Sequence, residues 1–258
     1  MSISNRMKGV TSQPQRSVTP TSQNPEQELS RWGGFAGVGG ALLLVASAVV
    51  VTALELPDAS DVETLTDFAD IEAGRIAEHF LYLGALVLFA LHVLVLHRLL
   101  RSAHPGASLF GTAVAEIGLV IMAASSLLHV STSPLAELYT DPDTPVGDLD
   151  AIEYVWHGAQ SVFDTMLATG VLLVPIGIVL LGVAMSRVAA FGSRLSMFAI
   201  ALGVVGAVGA VIAVIDPGSM FSAASVLAIA VFHLVVGWRV LTVSKNVTID
   251  LSPSSSLG

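Results

Sequence analysis

Six runs of about 20 or more predominantly apolar residues alternate with polar stretches along the chain. At 1.5 Å rise per residue, such a run is long enough to cross the hydrocarbon of a bilayer as a helix. They occupy residues 32 to 54, about 74 to 97, about 108 to 130, about 153 to 185, about 195 to 215 and 219 to 238. This pattern predicts an all-α fold: an integral membrane bundle of six transmembrane helices. The last two runs are separated by "DPGS", where Pro217 and Gly218 predict a tight turn. Residues 1–30 are rich in Ser, Thr, Pro, Gln and Asn and read as a disordered polar tail, 31–243 as the six-helix domain, and 244–258 as a short polar tail. A secretory signal is the rival reading of the N-terminal region, but the first apolar run begins too late and is too long for one.

Basic residues give the bundle a direction. If the helices alternate, Arg6, Lys8, Arg16, Arg31, Arg98, Arg101, Arg187, Arg194, Arg239 and Lys245 fall on one side, and of the 11 Lys and Arg only Arg75 lies opposite. Both termini are therefore expected to be cytoplasmic and the protein to be a multi-pass component of the cell membrane. The two long outer loops are acidic, with Asp58, Asp61, Glu63, Asp67, Asp70 and Glu72 in one and Glu137, Asp141, Asp143, Asp148 and Asp150 in the other. A solvated acidic surface is the simplest account of them.

Composition narrows the chemistry. Of 258 residues, 53% are hydrophobic and 12% charged, half the charged fraction of about 25% usual in soluble domains. With no cysteine in the chain, disulfides, thiolate metal sites and a cysteine nucleophile are excluded, and a metal would have to be held by His, Asp, Glu or Met. The net charge of -9 and the lack of a basic motif argue against a nucleic-acid partner.

The polar residues inside the spans fall into levels. Toward the outer side lie Arg75, Glu78, His79 and Tyr82 of the second span, His129 at the end of the third, and Glu153, His157, Gln160 and Asp164 of the fourth. The last four share a sector of roughly 60° on a helix and are expected to face the stripe made by Arg75, His79 and Tyr82. One reading is a structural polar knot in which Arg75 is the counter-charge of Glu78 or Glu153. The other is a metal site of His79, His129 and His157 with Glu78 or Glu153 as fourth ligand, a donor set suited to zinc or copper. Glu153 and His157 form only ExxxH, so no zinc-protease signature supports hydrolysis.

His92 and His233 form a second level, each six residues before an arginine. Two histidine levels suggest a bis-histidine haem protein, yet the 13 residues between His79 and His92 rotate a helix by roughly 220°, which turns the two to nearly opposite faces. Glu116 and Asp164 are the deepest carboxylates, and with His233 they outline a broken polar pathway of the kind a proton-coupled transporter needs. Methionines are scattered and read as core filling. The runs "GGFAGVGG" at 33 to 40 and "GVVGAVGAV" at 203 to 211 read as small-residue surfaces for close helix approach.

Residues 31 to 240 resemble a group of uncharacterised prokaryotic multi-pass membrane proteins defined by a domain of unknown function. The likeness rests on Arg31-x-x-Gly34 and on "GIVLLGVAMSRVAAFGSRLSMFAIALGVVGAVG", a long helix, short basic turn and Gly-rich helix. Phe191, Gly192, Ser193 and Arg194 stand where a Leu-Pro-Arg turn is expected. The resemblance implies fold and location only. The expectation is a non-enzymatic membrane subunit or small binding protein whose outer His and carboxylate cluster takes a metal cation or locks the helices. The alternatives are a proton-coupled small-solute transporter, a haem-binding electron carrier and a membrane metalloenzyme. Its partners are expected to be the lipid bilayer and either a membrane protein or further copies of the chain.

Overall fold

The structure is a computed structural model that describes residues 25–56, 62–216 and 221–246. The DPGS turn beyond Asp216, most of the N-terminal tail, most of the C-terminal tail, and Asp58 and Asp61 lie outside the described residues. Seven helices follow in order among those described: α1 (Pro25–Ala53), α2 (Val62–Leu100), α3 (Pro105–Val130), α4 (Ser133–Thr140), α5 (Val146–Met185), α6 (Gly192–Ile215) and α7 (Phe221–Asn246). Six of them are long and apolar enough to cross a membrane, the signature of a multi-pass membrane protein.

Several boundaries differ from the sequence expectation. Residues 25–30 belong to α1 rather than to a disordered tail, and α7 runs on to Asn246, past the expected end of the domain. The first acidic loop is helical from Val62, so Asp70 and Glu72 are part of α2. The second acidic loop contains α4, whose N-terminus carries Pro134 in its first turn, where the missing N–H costs nothing. The fourth span starts at Val146, not near 153.

The six long helices form a closed ring in chain order, α1–α2–α3–α5–α6–α7 and back to α1, each antiparallel to its neighbours. Glycines make the closest joints. A Cβ on Gly177 would stand 2.7 Å from Gly111 O and Ala115 N, and one on Gly118 would stand 2.9 Å from Val174 N, so the α3 and α5 backbones touch. Gly34 meets Gly237 where α1 closes on α7, and Gly203 meets Pro175 where α5 passes α6. The expected glycine surfaces at 33–40 and 203–211 are used in this way, whereas the α3–α5 seam lacks a Gly-rich run to announce it. One core runs through all six helices, with Phe89, Leu119, Val174, Ile178, Ala199 and Phe232 among its buried members.

Helix length adds a second layer. The 24 residues of α6 extend about 36 Å, while the 39 of α2 and 40 of α5 extend about 60 Å, more than the 40–45 Å of a whole bilayer. Only four residues join α2 to α3 and six join α5 to α6. The excess length of α2 and α5 therefore projects from the opposite face, away from the start of α1 and the end of α7. There the first turns of α2 and α5 enclose α4 around a separate small core of Leu65, Ala136 and Trp156, flanked by Leu135, Tyr139 and Ile152. The bundle is thus capped on one face.

Candidate functional site

The polar level beneath the cap is built from consecutive turns of α2 and the ends of its neighbours. Arg75 and His79 are one turn apart on α2, and both are buried. His79 Nδ1 lies 3.0 Å from Arg75 O and also pairs with the Glu78 carboxylate. Both partners are acceptors, so that nitrogen carries the proton. Ser47 of α1 donates to Glu78 Oε1 at 3.0 Å, and the buried Arg75 stands three residues before Glu78 on α2. From α3, His129 stacks face to face on His79, ring centroids 4.7 Å apart and planes 23° apart, and its other side meets Phe163 of α5 edge-on at 4.8 Å. Four helices are joined at this one level.

The remaining predicted residues take different positions. His157 and Glu153 sit 3.7 Å apart on α5, both partly exposed at 45% and 38% of their side chains, and pair with each other. Asp164 is exposed as well, whereas Gln160 on the same stripe is 3% exposed with neither amide atom hydrogen-bonded. The stripe of α5 therefore does not turn as a whole toward α2: only Gln160 is enclosed. Among the described residues, no three His, Cys, Asp or Glu side chains converge as metal ligands. The expected set of His79, His129 and His157 with Glu78 or Glu153 is divided between a buried clasp and an exposed pair. The stacking of His79 on His129 gives the physical reason, since ring-nitrogen lone pairs lie in the ring plane and those of face-stacked imidazoles do not point at a common centre.

The second level lies between α1, α2 and α7. His92 and His233 are both fully buried, their ring centroids 5.2 Å apart and planes inclined by 65°. His92 Nδ1 donates to Gly33 O at 2.7 Å, and His233 stacks on Phe89 at 3.8 Å. The opposed directions expected of His79 and His92 are seen: one meets α3, the other α1 and α7. His233 is also separate from the other members of the expected polar pathway. Neither of its ring nitrogens has a hydrogen-bond partner, and Glu116 Oε1 on α3 is likewise without one.

One polar role went unread in the sequence. His104 is the N-cap of α3, where its Nδ1 accepts from Ala107 N at 3.3 Å, just before Pro105. A His-Pro dipeptide ahead of an apolar run was the available signal.

Compared with protein-family models, curated proteins and solved structures, the chain matches none. Fold and site together define a class: a helical multi-pass membrane protein with a capped face, a buried polar clasp beneath the cap and an enclosed histidine pair below that.

Proposed function

We propose that the chain is a non-enzymatic membrane subunit of the cell membrane, with both termini cytoplasmic and the α2–α4–α5 cap presented on the outer side to a partner. The observation that carries this reading is the cap itself. It has its own core at the end of α2 and α5 away from their short connections, yet it leaves Leu138 50%, Val146 82%, Tyr154 79% and Val155 56% exposed. Exposed apolar side chains on both α4 and the start of α5 support contact with another protein there. The clasp of Arg75, Glu78, His79 and His129 fits this role as a brace that fixes the cap to the bundle. Its hydrogen bonds and stacking engage the imidazoles with neighbouring groups. The ten basic residues expected on the face of the chain ends support the orientation.

Purification of the tagged chain from its native membranes in mild detergent tests the proposal. A stoichiometric partner that is lost in Tyr154→Glu is the expected result, and consistent isolation of a lone folded chain would sink it. A reporter fused at either end should stay active only on the cytoplasmic side.

A proton-coupled transporter is the second reading, favoured by Glu116. This residue lies near the middle of α3, half-buried, with Oε1 enclosed and lacking a hydrogen-bond partner. That reading predicts loss of solute-driven proton flux in Glu116→Gln with folding retained.

A further inference from the structure

We propose that His92 and His233 form a two-imidazole site for a single Cu(I) ion inside the bundle, between α1, α2 and α7. Three of their four ring nitrogens have no hydrogen-bond partner, although both side chains are completely enclosed. In an apolar interior an unsatisfied polar group is costly, so a pair retained there calls for a ligand.

The surroundings specify its kind. Since Gly33 O can only accept, the 2.7 Å contact places the proton of His92 on Nδ1 and leaves the Nε2 lone pair free. A metal-ligating histidine is ordinarily arranged this way, one nitrogen donating to a carbonyl so that the other faces the metal. Gly37 makes room for the ring: a Cβ there would stand 2.7 Å from His92 Nδ1 and 2.8 Å from His233 O. His233 is fixed by Phe89 on its face and by Phe232 edge-on.

Charge and geometry choose the ion. A metal about 2 Å from an imidazole nitrogen stands about 3.1 Å from the ring centroid, so a linear pair needs centroids about 6.2 Å apart, and rings now 5.2 Å apart reach it by parting about 1 Å on loading. Zinc would require four ligands, and among the described residues no third His or carboxylate joins the pair. Two neutral imidazoles also leave a divalent charge uncompensated in a low-dielectric interior. Cu(I) carries one charge and accepts two nitrogen ligands, and with no cysteine in the chain no thiolate competes for it.

The test is an anaerobic titration of the purified full chain with Cu(I) in the presence of bicinchoninate as competing chelator. One Cu(I) per chain is expected, held at least 100-fold more weakly in His92→Asn and in His233→Phe and unchanged in His157→Ala. The first variant keeps an N–H for Gly33 O, and the second keeps the ring stacked on Phe89, so each can fold without its metal-binding nitrogen. X-ray absorption of the loaded protein should show nitrogen neighbours at about 2 Å. Failure of the folded wild-type chain to compete for Cu(I), or binding indifferent to both substitutions, overturns the proposal.

Discussion

The two polar levels of this bundle contain similar residues and treat them in opposite ways. Beneath the cap, His79 is enclosed by groups that answer it: a carbonyl, the Glu78 carboxylate and the face of His129. One level further in, His233 is enclosed by aromatic rings and makes no hydrogen bond. The clasp ties its parts to one another, although Tyr82 and Gln160 at the same level have side-chain atoms without hydrogen bonds. In the histidine pair three of the four ring nitrogens lack one, and the proposed ligand would supply from outside what His79 finds in its neighbours.

Substitutions should separate the levels by their effect on stability, most clearly at Glu78. Removing it strands a buried imidazole and guanidinium, so Glu78→Ala should cost about 3 kcal/mol or more, read as a lowered midpoint in detergent-mediated unfolding. Ser47→Ala, which deletes one hydrogen bond to the same carboxylate, should cost about 1.5 kcal/mol in that assay. His233→Phe should change the stability of the metal-free chain by less than about 1 kcal/mol, because the ring shape is kept and no hydrogen bond is lost. A loss there as large as that at Glu78 would mean that the two levels are alike. His157→Ala should shift stability by no more than about 0.5 kcal/mol, as its pair with Glu153 is exposed to solvent.

The shared level of His92 and His233 was legible in the sequence, because each lies six residues before an arginine, and their rings meet in the structure. Direction was legible within one helix, where 13 residues of rotation correctly set His79 and His92 against different neighbours. Pairing between helices was not legible. Whether His129 meets His79 or His157 depends on how closely α3 approaches α5, and that distance is set by Gly111, Gly118, Gly170 and Gly177, spaced seven apart within ordinary apolar sequence. The cap was hidden for another reason. Most of its helical turns lie in acidic sequence outside the apolar runs, and its core draws only three fully enclosed side chains, Leu65, Ala136 and Trp156, from three separate segments. Such sparse apolar positions give a helix no stripe to read.

The closed ring also sets a timetable for synthesis. Gly33 and Gly40 of α1 meet α2, but the Gly34 side finds its partner only in α7, with Gly34 against Gly237 and Gln27 Nε2 donating to Ser244 O at 2.7 Å. The ribosome makes α1 before any other helix described here and α7 after all of them, so this seam waits through most of translation. A chain halted before α7 would keep that groove open in the lipid, which would mark it to the membrane's quality-control proteases as unfinished.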